Sequence, residues 1–435
     1  MNKIKLSIVI SLFLYNCSLN PNSKFWTEEQ DLSKDNKNYK IIKVFKEDEN
    51  KKDEFNKNIE IKLVSKFKNK KFYKNLDNNF GFQNFEGELN KISKYNFSKI
   101  KDFNIYKPDP IFHDKGIIFF ESDGTIINFD FNSELIWEQN IYNKKEKKVG
   151  PILYFSIYKN FLIVADNLAK YYKLDLNSGD IIWKKEKGSP FNSQIKSYKN
   201  NFYLIDSDNI LRSISVDDGK ENWDVKTDSF LIQSKKRLSL VVTPDKVIFI
   251  NKVGDITAVD ISDGELRWQT PTQDTAVHAG SFSVSNSDLV LDNQNLYISN
   301  NKNGFFSIDT TGGIINWKQD LLSITRPTII QNLIFTITLD GNLVVIEKKT
   351  GNIIRVTNLF EKLKKKDREN ILANGFVVGK KYIYLSTNNG RLFLIDTLTG
   401  KTSKIIKIDN QNISGPFVVN KFLYLIKNKS IIRLN

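Results

Sequence analysis

Few residues of this sequence are of the types that carry nucleophilic or metal-dependent chemistry. Its 435 residues include one cysteine, Cys17, and two histidines, His113 and His278, which are far apart in the chain. A histidine metal site needs several ligands close together, and a histidine base needs a partner that orients it. We therefore expect no catalytic residue and no bound metal, and we interpret both histidines as surface or hydrogen-bonded loop residues.

Carboxylates are abundant, but the most regular of them have a structural explanation. An acidic residue recurs four positions before a glycine and eight positions before a tryptophan or its replacement. A short acid can accept hydrogen bonds from turn amides, and glycine tolerates the positive φ of a tight turn. The acids are Asp175, Asp260, Asp309, Glu347 and Asp396, and the glycines are Gly179, Gly219, Gly264, Gly313, Gly351 and Gly400. We assign these residues to turns.

Five tryptophans mark the same place in successive repeats of roughly 40 to 50 residues, which is the period of a four-stranded propeller blade. They are Trp137, Trp183, Trp223, Trp268 and Trp317, and two later repeats have Arg355 and Lys404 at this place. Alternating apolar strands surround each turn, and a large ring with one N–H donor can wedge between neighbouring sheets. The repeats predict an all-β protein, a β-propeller of four-stranded antiparallel blades docked through these tryptophans.

Eight blades are predicted, with seven as the alternative. The stretch Gly87 to Phe97 reads as a degenerate outer strand, and the C-terminal NKFLYLIKNKSIIRLN supplies inner strands without an outer one. Pairing the two completes a blade and leaves no exposed sheet edge. The propeller is therefore expected to span residues 86–435. Residues 17–85 are interpreted as a tether and N-terminal extension, which includes the strand-like IEIKLV at 59–64.

The N-terminus has the features of an export signal. Lys3 and Lys5 precede an apolar run from Leu6 to Tyr15, and Cys17 follows. Such a run is too short to span a bilayer and is typical of a signal peptide, which would comprise residues 1–16. Its end resembles the lipobox of bacterial lipoproteins, which implies acylation of Cys17 and, with serine rather than aspartate next, an outer-membrane destination. The alternative is an ordinary signal peptide with an incidental thiol.

The formal net charge of +15 raises a further alternative, a propeller that binds polyanions or glycans of the cell envelope. Steep loss of binding with salt would distinguish this function from an apolar protein contact. The lysines are, however, scattered among asparagines and isoleucines, and no nucleic-acid motif is present. We expect no nucleic-acid partner.

The acid, glycine and tryptophan spacing in AVDISDGELRW, which ends at Trp268, resembles the repeat of pyrroloquinoline quinone (PQQ)-type propellers. The resemblance covers nearly all of residues 87–435 and implies one of two families. One is the quinoprotein dehydrogenases, which implies a quinone, Ca²⁺, an aspartate base and adjacent cysteines. The other is the BamB family, lipoproteins of the outer-membrane β-barrel assembly machinery. With its single cysteine and its length, the chain resembles the second, and we expect no enzyme activity and no cofactor.

The BamB resemblance implies a partner, the periplasmic POTRA region of the barrel-inserting subunit, and a lipid-anchored place at the periplasmic face of the outer membrane. It implies a propeller that is monomeric outside the complex. Two loops are implied to make the contact, one with a Leu-x-Leu-Arg motif and one with an acidic pair. Phe230, Ile232 and Gln233 match the first, and Ser283 and Ser285 take the acidic positions of the second. Lys235, Lys236 or Arg237 could supply the missing cation, and Asp288 lies near the missing acids.

Overall fold

The repeats fold into sheets in a computed structural model of the chain, which describes residues 54–64, 67, 75–101, 103–228, 236–272, 284–368 and 370–435. These residues belong to a compact unit that spans Asp53–Asn435. Within them, the strands form eight four-stranded antiparallel sheets. The all-β class and the eight blades predicted from the repeats are confirmed.

The first strand, β1 (Lys91–Asn96), belongs to the last blade. The next sixteen strands form blades 1 to 4, and within each blade they run in order from the inner to the outer strand. Blade 1 is β2 (Ile111–Phe112), β3 (Gly116–Phe120), β4 (Ile126–Asp130) and β5 (Leu135–Gln139); blade 2 is β6 (Leu153–Tyr158), β7 (Phe161–Asp166), β8 (Lys170–Asp175) and β9 (Ile181–Glu186); blade 3 is β10 (Lys196–Tyr198), β11 (Asn201–Ile205), β12 (Ile210–Ser215) and β13 (Glu221–Lys226); blade 4 is β14 (Leu240–Val242), β15 (Lys246–Ile250), β16 (Ile256–Asp260) and β17 (Leu266–Thr270).

The remaining strands form blades 5 to 8 in the same order. Blade 5 is β18 (Val290–Asp292), β19 (Asn295–Ser299), β20 (Phe305–Asp309) and β21 (Ile315–Gln319); blade 6 is β22 (Thr328–Ile330), β23 (Leu333–Ile337), β24 (Asn342–Glu347) and β25 (Ile353–Asn358); blade 7 is β26 (Ala373–Val378), β27 (Tyr382–Thr387), β28 (Arg391–Asp396) and β29 (Thr402–Lys407); blade 8 is β30 (Phe417–Val419), β31 (Phe422–Lys427), β32 (Ser430–Leu434) and β1. The described residues also form three short helices, α1 (Phe103–Tyr106), α2 (Lys144–Val149) and α3 (Lys365–Arg368).

Burial along the strands follows their place in a blade. The two middle strands lie between neighbouring blades, so β15 and β16 are buried on both faces and read as continuous apolar runs. The outer strands alternate, and β13 places every second residue in solvent. The alternation expected of a strand with one solvated face is thus clearest at the rim. Among the described residues, no helix has the length and hydrophobicity needed to cross a membrane.

Blade 8 joins the two ends of the described chain. Strand β1 pairs antiparallel with β32, so that Tyr95 lies opposite Ile431 and Asn96 opposite Ser430. The Tyr95 hydroxyl donates to the Phe131 carbonyl of blade 1 at 3.0 Å. The predicted closure, in which an N-terminal outer strand completes the C-terminal sheet, is confirmed.

Each tryptophan of the repeat contacts the following blade. The Trp268 indole Nε1 donates to the Thr310 carbonyl at 2.9 Å, and its ring covers Gly313, where an added Cβ would lie 2.6 Å from the ring. Gly313 has φ +72°, a conformation that side chains disfavour, so space and backbone both require glycine. The same donation to the next blade is made by Trp137 to Leu176, Trp183 to Val216, Trp223 to Ile261 and Trp317 to Lys348.

Arg355 replaces the tryptophan in blade 6 and makes an equivalent contact. Its guanidinium Nη1 donates to the Leu398 carbonyl of blade 7 at 2.7 Å and also to the Ile59 carbonyl at 3.2 Å. The side chain is fully buried over Gly400. Ile59 lies within IEIKLV, which the structure shows as irregular chain and not as a strand. This stretch packs on the ring, since Ile61 N donates to Leu398 O at 2.9 Å.

Residues 75–83, which we name the channel segment, pass through the middle of the ring. The inner strands of neighbouring blades lie side by side around this space, as β6 and β14 do on either side of β10. The segment hydrogen-bonds to residues on or beside the inner strands of blades 3, 4, 5, 6 and 7, and the Phe80 ring makes an edge contact with Phe417 of blade 8. One chain segment reaches six inner strands only if it lies in the central channel.

Candidate functional site

The loops predicted to bind a partner connect the outer strand of one blade to the inner strand of the next. Phe230, Ile232 and Gln233 lie between β13 and β14, and Ser283 lies between β17 and β18; all four, like Cys17 and His278, lie outside the described residues. Ser285 is described and is half-buried, and its backbone N–H donates to the Asn301 side chain at 2.9 Å. The two loops connect to β14 and β18, which are the inner strands of neighbouring blades.

The residues that follow these loops form a charged cluster, which we name the channel-mouth cluster. Its members come from the entries to four inner strands and are Lys107, Asp109, Lys236, Arg237, Asp288 and Arg326. Arg326 Nε donates to Asp288 Oδ2 at 2.8 Å, and Arg237 Nη1 donates to Asp109 Oδ2 at 2.5 Å. Arg237 Nη2 lies 3.6 Å from Asp288 Oδ2. Side chains from blades 1, 4, 5 and 6 thus meet in one network.

Hydrogen bonds and ion pairs in this network orient the side chains of Lys236 and Arg237, which follow Gln233 in the chain. The Arg237 side chain is only 13% exposed and is bound to Asp109, while Lys236 donates to the carbonyls of Asn286 and Ile324. Both therefore point into the channel mouth, because buried carboxylates and carbonyls attract them there. The expectation that Lys236 or Arg237 replaces the family's loop arginine is wrong, and Lys235 lies outside the described residues. Asp288 is likewise held by the two arginines.

Burial and charge shift the pKa values in this cluster in opposite directions. Burial lowers the pKa of Lys236 to about 7, and it also lowers the pKa of Lys107. Burial alone would raise the pKa of Asp288, but Arg326, Arg237 and Lys236 hold it well below its usual value. The carboxylate is therefore ionised at neutral pH. For the two lysines, burial favours the neutral form, because the charged form loses its contact with water.

The channel segment lies directly below this cluster. Asn78 Nδ2 donates to Leu240 O at 3.1 Å and to Leu289 O at 2.9 Å, which ties blades 4 and 5 together. The Asn79 side chain exchanges hydrogen bonds with the backbone of Ile329 in blade 6. The Phe80 ring lies 4.2 Å from the Arg326 guanidinium carbon. Sequence patterns do not indicate this placement, because the stretch NLDNNFGF lacks the period of the blades.

The other candidates for chemistry have structural partners. His113 is buried in blade 1, and its Nε2 lies 2.8 Å from Asn128 Oδ1, so it is a hydrogen-bonded residue of the interior. Asp260 accepts the Ser262 N–H at 2.8 Å in the turn before Trp268. Within the part of the chain that the structure describes, no three histidine, cysteine, aspartate or glutamate side chains are grouped so that they could hold a metal ion.

Comparison with known proteins agrees with this architecture. A family model described as outer membrane protein assembly factor BamB matches residues 122–357. An uncharacterized protein of Rickettsia conorii is 22% identical over 361 residues, which cover 81% of this chain and 83% of that protein. The outer membrane protein assembly factor BamB of Shewanella oneidensis is 23% identical over 321 residues, covering 61% of this chain and 79% of its own.

Solved structures share the fold at low sequence identity. BamB from Moraxella catarrhalis matches with a TM-score of 0.65 at 14% identity, covering 80% of this chain and 99% of its own. The quinohemoprotein alcohol dehydrogenase from Comamonas testosteroni matches with a TM-score of 0.61 at 10% identity, covering 81% and 78%. The fold and the repeats define a PQQ-like β-propeller. The chain belongs to the family described as outer membrane protein assembly factor BamB.

Proposed function

We propose that the chain is a non-enzymatic scaffold lipoprotein of the outer-membrane β-barrel assembly complex. In this proposal, the loops at 229–235 and 273–285 bind the periplasmic POTRA region of the barrel-inserting subunit. The family membership supports the assembly role. A rigid ring that presents loops from adjacent blades is suited to protein recognition.

One observation carries the choice of these two loops. The residues that follow them are joined, because Arg237 after the first loop lies 3.6 Å from Asp288 after the second, and Lys236 donates to the Asn286 carbonyl. The residues that follow the two loops therefore share one charged network at one end of the channel. In this proposal the two loops contribute to one binding surface, on which a few apolar side chains such as Phe230 and Ile232 act as anchors.

The enzyme alternative has less support from the described residues. A cofactor in the central channel would compete for space with the channel segment, whose Asn78 and Asn79 are almost fully buried among the inner strands. The likeness to the quinohemoprotein dehydrogenase is at 10% identity and concerns the fold. The scaffold function is therefore the one we propose.

Pull-down of the barrel-inserting subunit with a F230S/I232S variant tests the contact. We expect capture to be lost while circular dichroism shows a folded propeller, because polar side chains remove the apolar anchors without adding charge. The matched control is L266S/I314S, which changes two exposed apolar residues. They lie beside the turns between third and outer strands, at the opposite end of the blades, and capture should persist. Capture by F230S/I232S at the control level would contradict the proposal, and unfolding of this variant would assign both residues to the core.

A photo-crosslinker at Gln233 provides a second readout that needs no apolar residue to be removed. We expect the crosslinked product to contain the POTRA region of the barrel-inserting subunit, and a crosslinker at Ile314 to give no such product. Absence of the subunit from the Gln233 product would contradict the proposed surface.

The lipid anchor has its own test. A C17A variant should appear in the soluble periplasmic fraction, whereas the natural chain should fractionate with the outer membrane, because stable anchoring depends on acyl chains attached at Cys17. Equal fractionation of the two would favour an ordinary signal peptide with an incidental thiol.

A further inference from the structure

Two adjoining cavities lie at the channel mouth, above the channel segment. Their volumes are about 80 Å³ and about 110 Å³. Phe80, Asp109, Arg237 and Arg326 line both of them. Since one water needs about 10 to 15 Å³ of cavity volume, each cavity has room for several waters or for one small oxyanion.

The charges that line these cavities do not balance. Among the described lining residues, five are cationic, Lys107, Lys196, Lys236, Arg237 and Arg326, and two are anionic, Asp109 and Asp288. The two arginines bind the two aspartates, so the basic side chains that line the cavities outnumber the acidic ones by five to two.

Each of the three lysine ammonium groups lies against at least one neutral oxygen. Lys107 Nζ lies 3.2 Å from Asn374 Oδ1, Lys196 Nζ lies 2.8 Å from Asn75 O, and Lys236 Nζ lies 3.3 Å from Ile324 O. Neutral oxygens orient an ammonium group but do not cancel its charge. Keeping such groups charged inside a protein costs free energy that a nearby anion would offset.

The lining also offers donors in the arrangement that an oxyanion needs. Arg326 uses Nε and Nη2 for Asp288, and its Nη1 makes no hydrogen bond within the described part of the chain. A lysine ammonium carries three donors, and a guanidinium presents a planar fork that matches oxyanion geometry. The Phe80 ring holds the Arg326 guanidinium from one side.

We propose that the channel mouth is a binding site for a small oxyanion, a free phosphate or carboxylate, held by Lys107, Lys236 and Arg326. The channel segment closes the site from below and limits the ligand to a few atoms. This site differs from the loop surface that is proposed to bind a protein partner, and it would exist whether or not that partner binds.

Isothermal titration of the purified full-length chain with inorganic phosphate, at fixed ionic strength and pH 7, tests the proposal. Acetate in a parallel titration distinguishes a tetrahedral oxyanion from a carboxylate. Binding of either ligand is expected, and K236M and K107M should each weaken it at least about tenfold, because each removes a cation from the site. The matched control is K220M, since Lys220 is 78% exposed and pairs with Asp218 at a turn.

Each outcome of these titrations supports or overturns the site. Affinity that falls in K236M and K107M but not in K220M supports it. Absence of heat with both ligands, or equal affinity in all four proteins, overturns it. Circular dichroism of each variant is expected to match the natural chain, because methionine removes a buried charge and keeps most of the side-chain volume. If one lysine variant unfolds, the other decides.

Proton uptake gives a readout that a structural role for these lysines would not produce. Lys236 is surrounded by Asp288, Lys107, Arg237 and Arg326, and its pKa is lowered to about 7 by burial. A bound anion favours the charged lysine, so titrations at pH 7.5 with acetate or sulfate, neither of which titrates near this pH, should show protons taken up when two buffers of different ionisation enthalpy are compared. K236M should take up fewer protons. Ligand binding without proton uptake would overturn the assignment of these lysines.

Discussion

The outer rim of the ring and its central channel are built by different rules. At the rim, each repeat uses the same few residues, and the five tryptophans donate to the following blade in the same way. In the channel, the contacts of Asn78, Lys236 and Arg326 have no counterpart in other blades of the described chain. Repeated residues therefore hold the ring together, whereas the residues that occur once distinguish this propeller from others of its fold.

The largest loss of stability is expected when a tryptophan that docks two blades at the rim is removed. Replacing Trp268, which is 7% exposed, by alanine opens a cavity and leaves the Thr310 carbonyl without its donor. We expect a loss of about 3 to 5 kcal/mol in the free energy of unfolding, measured by urea denaturation. Leu135→Ala is the control, because Leu135 is 52% exposed at the same rim and should cost below about 0.5 kcal/mol. Equal losses of stability in the two variants would show that the tryptophan side chains do not dock the blades.

A smaller loss of stability is expected when one side chain of the channel segment is removed. Asn78→Ala leaves two buried carbonyls without a donor and places alanine at φ +59°. We expect a loss of about 2 to 3 kcal/mol in the free energy of unfolding. Asn78→Gly removes the same hydrogen bonds but accepts the backbone angle, so it should cost less than alanine. Stability equal to the natural chain in both variants would mean that the segment contributes nothing to the ring.

A buried lysine makes the stability of the channel depend on pH near neutrality. The folded-state pKa of Lys236 is about 7, against 10.5 in the unfolded chain, so between these values the unfolded chain binds more protons and stability rises with pH. One such lysine contributes up to about 1.4 kcal/mol per pH unit. Urea denaturation at pH 7, 8 and 9 should show a smaller rise for K236M than for the natural chain. K220M serves as control, and a rise unchanged in K236M would contradict the burial of a titrating lysine.

The smallest effect is expected where the rim itself departs from the repeat. Arg355 is fully buried, and burial lowers its pKa to about 10, yet it lies over Gly400 as the tryptophans lie over their glycines. Arg355→Trp should change the free energy of unfolding by less than about 1 kcal/mol, because it loses a buried charge and gains a docking ring. Gly400→Ala, at φ +72°, should cost more than Arg355→Trp. A loss of several kcal/mol in Arg355→Trp would show that the contact with Ile59 matters more than the docking.

The sequence allowed the ring to be predicted because its signals are local and repeated. Asp260, Gly264 and Trp268 lie within nine residues of one another, and the same spacing recurs in other blades. The eighth blade followed from counting strands at both chain ends. The channel segment could not be predicted, since Asn78 and Asn79 meet residues more than 100 positions away and their polar neighbours resemble an unstructured linker.

The channel-mouth cluster could not be predicted either, for a related reason. Lys236 and Arg237 follow the loop that resembles the family's binding motif, and a basic residue there reads as a surface cation. Their inward direction depends on Asp109 and Asp288, which are contributed by other blades. Sequence spacing does not show which carboxylates the ring brings to one place, so the channel-mouth cluster and its excess charge became visible only in the fold.

Blade 8 has a consequence for the time course of folding. Strand β1 and strand β32 are separated by more than 300 residues, yet they are neighbours in one sheet. The hairpins of the other blades join segments a few residues apart and can form early, whereas this pairing must wait until seven blades have narrowed the distance between its partners. Ring closure is therefore expected to be the slow step, and β1 follows the channel segment directly in the chain. Closure of blade 8, the last step of folding, would therefore also fix the channel segment, although this segment precedes all eight blades in the sequence.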